Sequence, residues 1–586
     1  MKTKASETER VSRKPEEETS IIRHKADGVK RRLFRRKFTD TLNALSSKKT
    51  VKYATYLAAV IVFFALILLP PIIGIVIKWS TTQQVLEQPA LMGRALNAVA
   101  NSFVVALLVS ALDVLAGIPM AWLITRGKSK WLSVLDTLAD LPFVVPTAAL
   151  GYSLLLFWNG PQGISGLFGG SLISTGWLLV MLLHFTFSYP VVVRVLVGAL
   201  LDYKMEYEQA SRTLGAAPFI AFRTVTSPIL KPSLIAAFIL SFARSLSETG
   251  ATFIVAGAFE NGPVFIQNMK NEFSGSAPAT YEGATVFASV ILIIISCTIF
   301  ALIRILGPRL KLPFKGIWPV AERKLSYSKA AFSRNSVTLI VFVAIVLIPA
   351  LFVALPAFQA VFTGTLSAAF SGSGVWSDYW QSLLLSYSLG AIVTLLGFII
   401  GLPMAILIAR KKLGKSLSAL LDILVNIPLI VPSIALGVSL KFFWKESFPF
   451  MPELLLLIFA HLAITYPYIV KSMSAAFERI SIDMEEAART LGAKPFSVFR
   501  TIIFPLSKYS ILSGAIMVFT RSVSETGATV AVATSLRTAP VVIVDWVKGT
   551  VPATSLEIGL GCGLLVLLSF LILFLLRLVT RGKGKY

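Results

Sequence analysis

The chain has 586 residues, of which 55% are hydrophobic and only 15% charged, where soluble proteins carry roughly 25% charged residues; its mean hydropathy is +0.76. These figures exclude an ordinary soluble enzyme. A net charge of +25 and a pI of about 10.0 could signal nucleic acid, but the basic residues gather before the first apolar run and in alternate short loops, the positive-inside pattern of a membrane protein with no nucleic-acid partner.

Residues 1–50 read as a basic cytoplasmic tail, with Arg31, Arg32, Arg35, Arg36 and Lys37 ahead of the first span. The tail is too long to be the basic region of a cleavable signal peptide and reads as an orienting segment. Hydropathy then divides the chain into about twelve spans, near 52–78, 95–125, 132–158, 173–201, 230–257, 282–305, 336–360, 380–409, 416–444, 453–478, 507–533 and 554–577. With the amino terminus inside, Arg126/Lys128/Lys130, Arg309/Lys311/Lys315/Arg323/Lys324, Arg410/Lys411/Lys412/Lys415 and the tail Arg581/Lys583/Lys585 all fall inside, so both termini are expected to be cytoplasmic. Cys297 and Cys562 sit in apolar runs and read as buried thiols, not as a disulfide or metal site.

The two halves repeat each other. A shift of 277 residues carries Gly215 to Gly492, His184 to His461, Tyr189-Pro190 to Tyr466-Pro467, and Ser247-Glu248-Thr249-Gly250 to Ser524-Glu525-Thr526-Gly527. Upstream, Pro142, Pro146, Gly151 and Trp158 match Pro428, Pro432, Gly437 and Trp444 at a shift of 286, the difference being absorbed by the glycine-rich loop Gly160 to Gly170. Six spans per half return the chain to its starting side, so the repeats are parallel and related by a pseudo-twofold axis along the membrane normal. The expected fold is an all-α polytopic membrane protein: a first transmembrane domain at 51–305, a cytoplasmic linker at 306–335, a second transmembrane domain at 336–580 and a basic tail at 581–586.

Between the fourth and fifth spans of each half lies an amphipathic stretch, 203–228 and 480–505. The second copy predicts a short helix ended at Gly492 and a new helical start at Pro495. Glu486-Ala487-Ala488, then Gly492, then Ile502, Phe504 and Pro505 resemble the EAA loop of binding-protein-dependent ABC importer permeases, with Phe504 where that family usually has Leu. The first copy is weaker, with Gln209 at the motif's Glu position and Glu208 beside it matching Glu485.

The resemblance implies a type I importer fold in fused two-copy form, in the inner or plasma membrane of a prokaryote. It makes Glu208, Ala210, Gly215, Glu485, Glu486, Ala487, Ala488 and Gly492 the residues that dock on two ATPase subunits. It also implies that an external binding protein delivers the solute and that ATP-Mg is held by the partner ATPases, with no cofactor on this chain. Neither Gly127-Lys128-Ser129 nor Gly414-Lys415-Ser416 completes a P-loop, since Trp122 and Ala409 stand where its first glycine belongs.

Arg244 and Glu248, and their counterparts Arg521 and Glu525, lie 16 and 20 residues past Pro228 and Pro505, about 24 to 30 Å along their helices. Such groups either pair to hold the bundle together or, with Ser247, Thr249, Ser524 and Thr526, line a path or gate. The run Phe242 to Thr252 resembles the related segment of sulfate and molybdate permeases, which commonly carry Gly-Glu-Phe-Gly, whereas the fused architecture resembles ferric-iron and thiamine permeases. The solute expectation therefore spans ferric iron, thiamine, polyamines and oxyanions. His184 and His461 read as structural histidines or as a proton relay, and the intramembrane prolines 119, 142, 146, 190, 403, 428, 432 and 467 as kinks or breaks. An ion-coupled secondary transporter with two six-span halves is the competing reading, but it has no need of matched EAA loops.

Overall fold

A hydrocarbon layer offers no water to backbone N–H and C=O groups, so a chain of this composition crosses it as helices that satisfy their own bonds. In the computed structural model, which describes residues 39–580 apart from 128, 130, 274 and 310–318, the described residues form no strand. The basic residues 31–37, Lys128, Lys130, Lys311, Lys315 and the tail 581–586 lie outside the described residues.

The first half begins with α1 (39–47) and runs through α2 (Lys49–Ile77), α3 (Pro89–Arg126), the short helices α4 (Leu132–Leu138), α5 (Leu141–Val144) and α6 (Thr147–Trp158), and α7 (Trp177–Asp202). It continues with α8 (Met205–Thr213), α9 (Pro218–Ser247), α10 (Gly250–Val255), α11 (Gly262–Phe273) and α12 (Pro278–Leu306). The second half repeats the order: α13 (Pro319–Leu325), α14 (Ser328–Phe362), α15 (Trp376–Ala409), α16 (Lys415–Ile430), α17 (Ser433–Ser447), α18 (Glu453–Glu478), α19 (Ile482–Thr490), α20 (Pro495–Val523), α21 (Gly527–Val532), α22 (Ala539–Val547) and α23 (Ser555–Thr580). Short helical turns occupy some connections.

The expected twelve crossings resolve into ten helices long and apolar enough to span, one pair, α16 and α17, bent by 104°, and its counterpart α4–α6 in three short pieces. The prolines explain the breaks. Pro146 and Pro432 have extended backbone (ψ 137 and 133), as do Val145 and Val431 before them (ψ 125 and 130), because a proline ring excludes the helical conformation from the residue it follows. Pro119, Pro190, Pro403 and Pro467, expected to mark kinks or breaks as well, lie inside the helices α3, α7, α15 and α18, which run through them unbroken.

The halves exchange their first spans. Phe63 and Ile67 of α2 are buried with Leu389 and Val393 of α15 and with Tyr466 of α18, whose ring stacks on Phe63 at 5.7 Å. In mirror fashion Phe342 and Val346 of α14 are buried in the first half, and Phe342 stacks on Tyr189 at 6.2 Å. Ser153 Oγ of α6 donates to the Pro349 carbonyl at 2.7 Å. Contact is closest where side chains are smallest, as expected where apolar burial alone does not drive helices together.

At Gly74 of α2 an added Cβ would stand 1.9 Å from the Ser439 carbonyl oxygen of α17, whereas at Gly93 of α3 it would meet nothing within 4 Å. Gly74→Ala is therefore expected to destabilise the protein by about 1–3 kcal/mol as α2 is forced off the opposite half, and Gly93→Ala to be neutral. Thermal unfolding of the two variants in the same detergent checks this.

Candidate functional site

Two connected regions carry the predicted residues. The first is the pair of loops at one end of the bundle. After α8 and α19 the chain turns at Gly215 (φ 92) and Gly492 (φ 86), a left-handed conformation that glycine adopts without strain, and restarts at Pro218 and Pro495. The tips are apolar and open: Leu214 and Leu491 are each 89% exposed. Glu486, Ala487, Gln209 and Ala210 are exposed and Ala488 is half-buried, while Glu208 and Glu485 point inward. Glu485 lies 2.6 Å from Arg410 and 3.4 Å from Arg489. In the first half Arg126 instead stacks over Trp122 and Tyr203, at 5.5 and 5.7 Å, so the two loops are held differently.

Each loop is also gripped from the opposite half. The N–H groups of Phe496 and Ser497 belong to the first turn of α20 and have no partner within that helix. Ser46 and Asn43 of α1 accept them at 3.2 and 3.0 Å, and Arg500 donates to Thr39 at 2.9 Å. The pseudo-equivalent contact joins the Phe219 N–H of α9 to Ser326 just beyond α13 at 3.2 Å, with an Arg223–Glu322 ion pair at 3.2 Å. These are helix caps supplied from a distant part of the chain. The sequence reading did not find them, because an Asn and two Ser in a polar stretch carry no periodic signal; the helix-breaking Pro at 218 and 495 was the available cue.

From the loops, α9 and α20 run unbroken for 30 and 29 residues to the second region, a seam between the halves. Here α9 stops at the Ser of Ser-Glu-Thr-Gly and α20 one residue before it. The Glu248 carboxylate accepts the Ala251 N–H at 3.1 Å and Glu525 accepts the Ala528 N–H at 3.0 Å, so each acid caps the short helix that follows the break. Ser433, at the start of α17, donates to the Ser247 carbonyl at 3.2 Å, and Thr147, at the start of α6, to the Ser524 carbonyl at 3.3 Å. The broken spans of each half thus satisfy the broken helix of the other.

The seam is tight. A Cβ on Gly250 would lie 2.5 Å from the Thr526 side chain, and one on Gly527 2.7 Å from the Thr249 hydroxyl. Arg521 pairs with Glu525 at 2.6 Å, the i,i+4 geometry, and lies beside Tyr468 and within electrostatic reach of Glu248. Arg244 instead donates to the Phe187 carbonyl at 3.1 Å and sits over the Phe187 ring at 5.2 Å. All eight predicted seam residues are therefore brought to one place, with Glu248, Glu525, Thr249 and Thr526 buried. His184 bonds Ser245 and Thr252, both at 2.8 Å, and His461 bonds Ser522 and Thr529, both at 2.9 Å, so both ring nitrogens of each histidine brace a spanning helix to the broken one.

One buried acid was not singled out from sequence. Asp113 of α3 is 0% exposed and accepts hydrogen bonds from Ser188 of α7 and, at 2.6 Å, from Ser241 of α9. A lone carboxylate in an otherwise apolar helix was the available signal. Among the described residues no group of three or more His, Cys, Asp or Glu is placed to hold a metal ion.

Opposite the loops, the seam forms the floor of a cavity of about 360 Å³ that takes pseudo-equivalent positions from both halves: Thr249 and Thr526, Gln267 and Val544, Asn271 and Lys548. Its charged residues are Lys270, Arg537, Lys548 and Asp545. Burial lowers Lys548, and burial with the nearby cations Lys441 and Arg537, opposed by Glu453 and Asp545, holds Lys270 down at about 8. Burial raises Asp545 above the usual carboxylate range against the pull of Arg537.

Paired loops at one end, a sealed seam between two parallel halves and a vestibule beyond it define the membrane-spanning part of a solute transporter. Residues 113–312 and 397–582 each match the family described as binding-protein-dependent transport system inner membrane component, and the chain belongs to that family, carrying its domain twice. Both matched segments begin after the exchanged first spans α2 and α14. The sulfate transport system permease protein CysT of Salmonella typhimurium is 33% identical over 266 residues, covering 42% of this chain and 91% of that protein. CysT of Escherichia coli K12 is 32% identical over the same length and shares, and the molybdenum transport system permease protein ModB of Escherichia coli K12 is 37% identical over 160 residues, 26% of this chain and 69% of that protein. The chain is an inner-membrane, multi-pass ABC importer permease, a family that works with a substrate-binding protein and ATPase partners.

Two outcomes follow from this geometry. Glu525→Ala strips the cap from α21 and removes the ion-pair partner of Arg521, leaving it Tyr468 and the more distant Glu248, and is expected to cost about 3 kcal/mol. Glu525→Gln keeps an acceptor for the Ala528 N–H and is expected to cost clearly less; unfolding temperatures of the two purified variants decide. Asn43→Ala removes the acceptor for Ser497, at about 1–2 kcal/mol, so exchange of the Ser497 amide is expected to quicken about tenfold by hydrogen–deuterium exchange.

Proposed function

We propose that the chain forms the solute path of an ATP-driven importer for a small oxyanion of the sulfate or molybdate kind, handed over by an external binding protein. One ATPase subunit seats on each coupling loop, at Leu214 with Ala210 and Gly215, and at Leu491 with Glu486, Ala487, Ala488 and Gly492; Glu208 and Glu485, expected from sequence to share in that contact, point away from it into the loop's packed side. These loops are cytoplasmic, as are both termini, and ATP-Mg is held in the ATPases. The observation that carries this reading is the match of both halves to the importer family, each with its own exposed apolar loop tip. The oxyanion class is supported by the sulfate and molybdenum permeases among the relatives, which share more with this chain than the fused architecture alone.

In the cycle, ATP binding draws the two ATPases together and the loops with them. Because α9 and α20 connect loop to seam without a break, that movement parts Thr249/Gly250 from Thr526/Gly527, and hydrolysis resets it. The arginines and glutamates at the seam then face the opened path, where Ser247 and Ser524 lie beside them.

The test is uptake into vesicles holding the chain, its ATPases and its binding protein. Sulfate or molybdate uptake should require ATP. Gly492→Ala places a side chain at a left-handed position, a strain of about 1–2 kcal/mol, and should lower uptake several-fold with folded protein retained. Uptake that follows an ion gradient without any bound ATPase would overturn the reading.

A further inference from the structure

The vestibule beyond the seam has a composition that the closed seam does not require. It is lined by three cations, Lys270, Arg537 and Lys548, against one acid, Asp545. Two of the cations are already engaged. Lys270 donates to the Val530 carbonyl and, at 3.2 Å, to that of Ala533, at the carbonyl-rich end of α21, so it ties the first half to the second. Arg537 pairs with Asp545. Lys548 differs: it lies 4.5 Å above the Phe253 ring and has no acidic partner among the described residues. An exposed ammonium resting on a ring face alone retains donors for an anion.

The floor adds a second feature. The Thr249 hydroxyl is buried, lines the cavity and has no hydrogen-bond partner among the described residues. The hydroxyl is sealed from the cavity in this closed seam, and an anion on the floor would take up that donor only as the seam loosens around Thr249 and Gly527. The cavity, at about 360 Å³, is large enough for a tetrahedral oxyanion with several waters.

The charge is also lopsided in a way the repeat makes plain. The shift of 277 residues that carries Pro263 to Pro540 carries Asn271 to Lys548, and both line the cavity from facing positions on or just past α11 and α22. At this pair of positions the second half offers a cation with no acidic partner among the described residues and the first a neutral amide, while the first half's own cation, Lys270, is engaged by the carbonyls of α21.

We propose that this vestibule is a receiving site for a small divalent oxyanion, held off the axis toward the second-half wall by Lys548, above the Thr249 floor, with Arg537 and Lys270 supplying background charge. The site rests on the oxyanion reading above. It catches the anion on release from the binding protein and keeps it at the seam until the seam parts, raising the local concentration at the entrance. Lys548 is a binding residue here, resting meanwhile on the Phe253 ring of the opposite half.

The facing pair allows a test by exchange. The full-length chain in lipid nanodiscs is titrated with sulfate and with molybdate at constant ionic strength, as wild type, Lys548→Asn, Lys548→Arg and the exchanged double variant Lys548→Asn/Asn271→Lys. Lys548→Asn is expected to weaken binding about tenfold, and Lys548→Arg to retain it. The double variant is expected to recover binding, since it returns a cation to the facing wall, and an unchanged unfolding temperature of Lys548→Asn shows that the single variant is folded. Wild-type protein that binds neither anion, or Lys548→Asn titrating like wild type, overturns the site. ATP-driven uptake in the same preparations separates the two proposals. Oxyanion uptake with no dependence on Lys548 sinks the site and leaves the importer reading standing. Binding that depends on Lys548 with no oxyanion uptake keeps the site and sinks the transport reading.

Discussion

Contact between the halves is limited by two glycines. Gly250 and Gly527 face Thr526 and Thr249 across the seam with no room for a methyl group, and so they set the distance between the two bundles. A helix that stops inside a membrane must find partners for its loose N–H and C=O groups. The glutamates of Ser-Glu-Thr-Gly supply them on one side of the break, and Thr147 and Ser433, from broken spans of the opposite half, on the other. The histidines then hold the short helices α10 and α21 in place. An acid that looks from sequence like half of an ion pair is first of all a helix cap, and only in the second half does it also meet its arginine.

What connects that seam to the far end is stiffness. A helix of about 30 residues is about 45 Å long, and α9 and α20 begin in the loops and end at the seam. Loop and seam are two ends of one rod. The caps from α1 and α13 act at the base of each rod, and they come from the element that precedes the exchanged first span, so each rod is seated by the half it does not belong to. Displacing either loop therefore loads both halves at once.

Much of this was legible in the sequence, for reasons that can be named. The shift of 277 residues exposed the repeat because identical chemistry recurred at four separate places, and the loops could be located because an amphipathic stretch interrupts the apolar spans and ends at a glycine, Gly215 or Gly492, that the left-handed turn favours. Of the kinks or breaks expected at the intramembrane prolines, Pro146 and Pro432 mark outright breaks, whereas the helices continue through Pro119, Pro190, Pro403 and Pro467, since a proline inside a packed span leaves its helix continuous when neighbours hold it. The exchange of α2 and α14 was not legible, because hydropathy records that a helix is buried in lipid and protein but not which neighbour it touches. Asp113 escaped for a related reason: one acid among apolar residues changes a window average little, and its partners Ser188 and Ser241 are 75 and 128 residues away.

Covalent fusion has a consequence for how such a molecule can change over time. In a symmetric dimer of separate chains every substitution appears twice, so a change that helps on one side and harms on the other is lost. Here the two copies are inherited together but vary independently. Gln209 can stand opposite Glu486, Asn271 opposite Lys548, and Arg126 can rest on aromatic rings where Arg410 holds an acid. Fusion of the halves thus does more than tether them, because it permits one side to change without the other.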